Sequence, residues 1–448
     1  MAGADEAVDE IKRLVLGRVD AYEIFFSRDS GFSVEAKDGS VDSLKVRSNS
    51  GVGLRTISGD RQGFGFSNVF TGESLKGLVE SVLAGSRAVS EDRHLKFAPP
   101  RSPVVTEESL GLFDDTFHTF PEEGKIEAAL RIEEGARGVD GRIKRVRRAT
   151  YSESEAATRV VNSNGVDFKG RATYYSGSVT AVAEEGGESQ MGWEMDTSHK
   201  RGAIDPEKIG RDGANNALRM LGARKIKTVK CPAVIENTVV CELIESLAGS
   251  FLGDNVLKGK SMLIGKAGRK VASRALDVWD DGVLPGGWAA SVFDGEGALR
   301  QKTPLLAEGV CMGFLYDTYW AGRAGTASTG NAARSNYKGF PTVGTSNLYI
   351  GKGGKTLEEL FKEMERGLFI TELMGVHTIN TISGDFSLGA SGSWIEGGIV
   401  AYPVRGMAIS GNLLGLFEKT VCCARDLRFI GSIGAPSLMV EEIEVSGA

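Results

Sequence analysis

Histidine is nearly missing from this chain, with four residues in 448, His94, His118, His199 and His377. No two of them stand three to five positions apart and none neighbours a cysteine, so the short-range ligand spacing of a zinc site is lacking. The five cysteines are odd in number and form no C-x-x-C pair, which excludes a disulfide framework and a zinc ribbon and fits a reducing compartment. Cys422 and Cys423 lie in an apolar stretch and read as inert buried thiols. No apolar run reaches the roughly 18 residues of a membrane helix; the most apolar C-terminal stretch is broken by Arg405 and by glycines. The opening residues Met1 to Glu6 carry neither a basic nor an apolar leader, so the expected location is cytoplasmic. With a formal net charge of −6, the chain also lacks the basic excess of a general nucleic-acid binder. Its one basic run, Arg142, Lys144, Arg145, Arg147 and Arg148, is interrupted by Ile143 and Val146 and reads as the solvated face of a strand.

Several catalytic signatures are missing too. There is no G-x-S-x-G pentad for a serine hydrolase; the nearest approach, Gly389-Ala390-Ser391-Gly392-Ser393, reads as a tight β-turn. Gly354-Lys355-Thr356 suggests a phosphate loop, but Tyr349 occupies the place of the first glycine, so the backbone cradle is incomplete. Thr356 and Glu359 instead form a T-x-x-E capping box. No period of 20 to 50 residues marks a solenoid or propeller.

What the chain does have is glycine, 60 residues against 11 prolines, with 41% hydrophobic and 25% charged residues. That balance is globular, and so many glycines supply positive-φ turns between short strands. Val8, Ile11, Leu14 and Val15 predict an opening amphipathic helix. Alternation from Ala21 to Asn68, punctuated at Asp38-Gly39, Asn49-Ser50-Gly51 and Ser58-Gly59-Asp60, predicts a hairpin meander. Leu75, Leu78, Val79, Val82 and Leu83 give a helix to cover it. After a proline-rich connection from Ala98 to Ser109, the plan recurs: a helix after Pro121, a second meander from Arg142 to Asp196 turning at Asn162-Ser163-Asn164-Gly165, and a helix of roughly four turns capped by Asp205-Pro206 and ending near Gly222. From Cys231 the pattern is a strand, a helix from about Asn237 to Ala248, glycine-punctuated strands and a helix from Leu357 to Arg366. The predicted class is α+β. Residues 1–224 form an N-terminal α+β domain of antiparallel meanders packed with helices, in sub-units 1–97 and 110–224, and residues 229–448 form a β-dominated C-terminal domain.

Three runs carry a resemblance: Glu242 to Ser261, Gly325 to Arg334 with its T-G-N-x-x-R spacing, and Ile395-Glu396-Gly397-Gly398 followed by Tyr402-Pro403-Val404-Arg405-Gly406. Together with the hairpin-rich first half, the chain resembles the TldD/PmbA metallopeptidase family, in its TldE (PmbA) type. In the family's catalytic TldD-type subunit the first run holds H-E-x-x-x-H, with a cysteine near the C-terminus as a further metal ligand. Here Ile244-Glu245-Ser246-Leu247-Ala248-Gly249 stands in its place, and Ile430 to Pro436 contains no cysteine. The resemblance therefore implies a subunit with no metal ligands and no catalytic residues of its own. Zinc is expected in the partner, because a carboxylate such as Glu245 without a Lewis acid leaves water at its bulk acidity.

The implied function is that of a partner subunit in a TldD/TldE-type heterodimer, a hydrolase that degrades or processes unfolded peptides, with this chain contributing to the peptide-holding cavity. A homodimer in isolation is the other implied assembly; membranes and nucleic acids are not expected partners. An extended peptide could add to a strand edge of the β-rich domain through main-chain hydrogen bonds. Glu245, His377 and Arg405 are the candidate substrate or partner contacts, each with a plain structural alternative. The competing functions are a stand-alone metallopeptidase and a non-proteolytic adaptor of the gyrase-modulator kind.

Overall fold

The computed structural model describes residues 2–447, with side chains from residue 5. Its first half is one antiparallel sheet of six long strands in the order β3-β2-β1-β4-β5-β6. The strands are β1 (Ala21–Lys37), β2 (Ser40–Ser58), β3 (Arg61–Ser67), β4 (Ile143–Asn162), β5 (Asp167–Glu185) and β6 (Glu188–Ser198). The two meanders predicted from the sequence are halves of this sheet, because β1 pairs with β4 from Glu23↔Asn162 to Ala36↔Ala149.

Alternation along β1 decides what covers each face. Ile24 and Phe26 pack on α1 (Ala2–Val15) and α2 (Gly72–Ser86), while Phe32, Val34 and Ala36 pack on α4 (Glu122–Arg137) and α5 (Pro206–Leu218). These even-numbered residues share one face, so all four helices lie on it. Phe25 points the other way, into a cluster with Leu110, Val160, Phe293 and Tyr337 that joins the sheet to the C-terminal half. Leu110 ends α3 (Glu107–Leu110), a short helix inside the proline-rich connection.

Two turn expectations fail for one reason. Asp38-Gly39 and Gly59-Asp60 are positive-φ hairpin turns, but Asn49-Ser50-Gly51 runs straight through β2. Gly51 is glycine because a Cβ there would stand 2.3 Å from the Tyr337 ring. Gly389 to Ser393 likewise lies inside β15 (Asp385–Glu396), where a Cβ on Gly392 would meet the Phe369 carbonyl at 1.9 Å. In both places glycine marks a close approach of another part of the fold, not a turn. The fourth predicted helix of the first half also stops early, at Leu218, and Gly222 follows in the left-handed region after a turn.

The second half is β-rich. Strands β7 (Val229–Ile235), β14 (Arg366–Met374), β15, β16 (Ile399–Asn412) and β20 (Leu438–Ser446) pair in a ring that closes where β16 meets β20. A further strand, β17 (Thr420–Cys423), adds to β20. A second sheet runs β10-β9-β8-β13-β19-β18, built from β8 (Val278–Asp281), β9 (Lys302–Ala307), β10 (Val310–Cys311), β13 (Leu348–Ile350), β18 (Arg428–Ile430) and β19 (Ile433–Ala435). A two-stranded ribbon joins β11 (Ala332–Ala333) to β12 (Thr342–Val343). Between ring and second sheet lies α6 (Asn237–Ala248), whose Val239, Val240, Leu243, Ile244 and Leu247 enter the shared core. The helix α9 (Leu357–Met364) opens with the predicted capping box, Thr356 Oγ1 accepting from the Glu359 N–H and Glu359 from the Thr356 N–H. It ends two residues short of the expected Arg366, which instead starts β14.

Candidate functional site

The helix that carries the I-E-S-L-A-G run divides sharply by face. Ile244, at 1% exposure, is part of the central core, and Gly249 offers no side chain just past the helix end. Glu245 is the one carboxylate of the run and projects outward, while the Ser246 hydroxyl donates back to the Glu242 carbonyl. Glu242, one turn earlier, shares its face, since positions three apart are neighbours on a helix. Cys241 lies on the inner side, its Sγ 3.6 Å and 3.7 Å from the carbonyls of Ile433 and Arg428, and burial pushes the thiol up to about 12.

Beside the first two turns of α6 opens a cleft of about 280 Å³, walled by β6 from Met191 to Glu194, by the end of α5, and by Thr371 to Leu373 of β14. Its two arginines are already engaged. Arg219 forks Glu236 at 2.7 Å and 3.0 Å, and Arg428 pairs with Glu194 while donating to the Met195 carbonyl at 3.0 Å. Glu242, Glu245 and Glu372 have no ion-pair partner among the described residues. Although Glu242 reaches solvent, the walls of the cleft push its carboxyl above the usual range, and the charges of Glu245 and Glu372 add to that.

The strand edges facing the cleft differ. Along β6, the Trp193 carbonyl accepts from Asn216 and the Met195 carbonyl from Arg428, so that edge is blocked by side chains. On β14, pairing with β7 covers Leu368 to Ile370 only; Thr371 stands at a bulge, and Glu372 to Met374 continue with β15 alone. This short open edge lies directly on the cleft.

The three candidate residues are not brought to one place. Glu245 is on α6, and His377 is exposed on the 3₁₀ turn Val376–Thr378, which packs against that helix. Arg405 belongs to the seam between the two halves: it pairs with Glu188 at 3.0 Å, and its N–H donates to the Arg224 carbonyl. Sequence reasoning missed Glu242 and Glu372. Helical spacing from Glu245 could have found the first, but nothing local links β14 to α6.

The other family-like runs build structure. In the T-G-N-x-x-R run, Thr329 bonds Asn331, Asn331 donates to Asp280 at 2.7 Å, and Arg334 crosses to Glu23 of the first half at 2.9 Å. Gly397 and Gly398 form the positive-φ turn from β15 to β16. His199, the one buried histidine, has both ring nitrogens on carbonyls, Thr173 at 2.6 Å and Gly287 at 3.1 Å.

Comparison with known proteins accounts for this pattern. Family profiles described as PmbA/TldA metallopeptidase domain 1, central domain and C-terminal domain match residues 22–86, 115–221 and 228–447. The metalloprotease PmbA of Escherichia coli O157:H7 is 29% identical, covering 99% of this chain and 96% of that protein. The metalloprotease TldD homolog of Haemophilus influenzae is 23% identical over 96% of this chain and 93% of its own length. A Thermotoga maritima protein described as a candidate modulator of a DNA gyrase superposes with a TM-score of 0.91 at 27% identity, covering 99% of this chain and all of that one. TldE of Thermococcus kodakarensis shares the fold with a TM-score of 0.90 at 22% identity, over 98% of this chain and all of its own. The chain belongs to the PmbA/TldD metallopeptidase family, and within it to the PmbA (TldE) type.

A metallopeptidase family implies a divalent metal, and the residues at the expected position do not fit one. Isoleucine in the core and a glycine cannot ligate, Cys241 is held as a neutral thiol, and among the described residues no three His, Cys, Asp or Glu side chains converge as a metal site.

Proposed function

We propose that this chain is the non-zinc-binding partner of a TldD-type catalytic subunit in a two-chain metallopeptidase acting on unfolded peptides, and that the cleft beside α6 forms part of the peptide-holding cavity. The observation carrying this reading is the composition of α6 at the family's metal position: a core isoleucine and a glycine flank the one outward carboxylate. Such a helix supports a wall of a cavity, not a Lewis-acid centre. The open edge at Thr371 to Met374 offers main-chain donors and acceptors, which would hold an extended peptide with little demand on its sequence. The unpaired Glu242 and Glu372 in the cleft, with Glu245 a turn further along α6, would favour basic residues or a free amino end.

The test is co-purification with a TldD-type chain carrying H-E-x-x-x-H, followed by zinc analysis and cleavage of an unfolded peptide. Expected are zinc stoichiometric with the TldD-type chain only, and chelator-sensitive cleavage at least about tenfold above either chain alone. Equal cleavage by the TldD-type chain alone, or stoichiometric zinc in this chain, would overturn the reading.

A further inference from the structure

Where the two halves meet, a cavity of about 320 Å³ opens between Arg55 and Gln62 of the N-terminal sheet, the segment Val89 to Lys96 that follows α2, and residues Asp317 to Trp320. It shares no lining residue with the α6 cleft. Three buried charged groups border it: Arg55, Glu296 and Asp317, at 4%, 1% and 3% exposure. Two of them are matched. Arg55 lies 3.1 Å from Glu296 and 3.6 Å from Glu23, and the second Glu296 oxygen accepts from the Thr318 N–H at 2.9 Å. Asp317 is matched at one oxygen only. Its Oδ1 accepts from the Trp320 N–H at 2.7 Å. Its Oδ2 has neither a hydrogen-bond donor nor an ion-pair partner among the described residues, yet it is not sealed in protein, and the space that Asp317 borders is this cavity.

Arg55 already serves two carboxylates, so Asp317 is an acid in excess, and burial together with the charge of Glu296 pushes its carboxyl up to about 7. A cation in the cavity would supply the missing partner and release the proton to solvent. The walls say which cation. A metal ion needs several oxygen ligands, whereas Glu296 has both oxygens engaged and no three such side chains converge among the described residues. An ammonium on an apolar body needs one carboxylate and an apolar surface, and Leu95, Trp320 and Phe340 provide the surface. Phe340 stays 49% exposed although its ring lies 4.5 Å from that of Phe64. The remaining charges on the cavity do not oppose this. Asp92 accepts from the Tyr319 hydroxyl at 2.7 Å, and Lys96 is exposed at the mouth, where solvent screens it. The volume is at the lower end of the ~300–1,000 Å³ common for small-molecule sites, which suits an amine of amino-acid size.

We propose that this cavity binds an organic primary ammonium, with Asp317 as its carboxylate partner and Trp320 and Phe340 against its apolar body. The ammonium could belong to a free amine or to a lysine side chain of a peptide. This site stands apart from the α6 cleft and does not depend on a partner subunit.

The test is isothermal titration of the purified full-length chain with two amines and their neutral counterparts: 2-phenylethylamine against 2-phenylethanol, and N-acetyl-lysine methylamide against N-acetyl-norleucine methylamide. At about pH 8 Asp317 is ionised, and an alkylamine such as that of lysine, with a pKa of about 10, is still charged. Expected is saturable binding of an amine, at least about tenfold tighter than its neutral counterpart and weakened at least about tenfold in Asp317→Asn, since a charge-assisted hydrogen bond is lost in both comparisons. Binding of 2-phenylethylamine without the lysine derivative would support the proposal with a free amine as the source; binding of the lysine derivative would support it with a peptide side chain. No saturable amine binding, equal binding of amine and neutral counterpart, or unchanged affinity in a folded Asp317→Asn chain would overturn it. So would a comparable loss of affinity in Glu372→Gln, which would place the amine in the α6 cleft. The amine comparison on the native chain and the Glu372→Gln measurement decide even if Asp317→Asn does not fold.

Discussion

Arg334 and Glu23 sit 311 positions apart in sequence and meet at 2.9 Å, with side chains 2% and 0% exposed. Arg55 lies 3.6 Å from the same Glu23 and 3.1 Å from Glu296, so one buried network ties the sheet to the C-terminal half. Removing one member leaves a charge stranded in low dielectric. Arg334→Met is therefore expected to cost roughly 3–5 kcal/mol, read as a lower urea midpoint, and Glu23→Leu in the same chain should recover much of that loss. The network also holds protons. Burial and the charge of Glu296 raise Asp317 from 3.8 to about 7. The folded state then keeps a proton that the unfolded chain gives up above about pH 4, so this group's contribution to stability declines as pH rises from about 4 to 7 and is level above. Asp317→Asn still caps α8 (Thr318–Ala324), since Asn is a good N-cap, but cannot titrate. Its urea midpoint should vary less with pH across that window than that of the native chain; an identical slope would contradict the assignment.

Most elements were legible in the sequence because their causes are local. The stripe from Leu75 to Leu83 gave α2, Thr356 with Glu359 gave the start of α9, and the boundaries of α6 follow from its periodicity. Glycines misled where the reason for them is distant. Gly51 and Gly392 resemble turn residues, yet one accommodates the Tyr337 ring and the other a neighbouring strand's carbonyl. Gly51→Ala should cost roughly 1–3 kcal/mol by overpacking and lower the melting temperature; an unchanged value would show that the ring can move aside. The α6 cleft was half legible for the same reason. Glu242 lies at helical spacing from the Glu245 of the motif run, whereas Glu372 joins it only because β14 lies alongside β7 and therefore beside the helix that follows β7.

For the whole molecule, the sheet with its four helices is joined to the C-terminal half by the apolar cluster around Phe25, by the buried Glu23–Arg55–Glu296–Arg334 network and by seam pairs such as Arg405–Glu188 and Arg428–Glu194. No described helix is long and apolar enough to cross a membrane. If the cleft serves a two-chain peptidase, Glu372→Lys should change the stability of the isolated chain by no more than about 0.5 kcal/mol, as for an ordinary surface substitution. In the assembled complex the same variant should lower cleavage of a basic unfolded peptide, measured against a neutral one. The amino-acid sequence determined the α+β class, the family and the presence of an isoleucine and a glycine in the Ile244 to Gly249 run, because periodicity, turn chemistry and side-chain identity are properties of short segments. Only the tertiary structure decided that two meanders form one sheet, that Ile244 faces inward while Glu242 faces the cleft, that Arg405 is a seam residue, and that Arg55, Asp317 and Phe340 border a common cavity. Those facts rest on contacts between residues tens to hundreds of positions apart, and such contacts leave no pattern in any single stretch of chain.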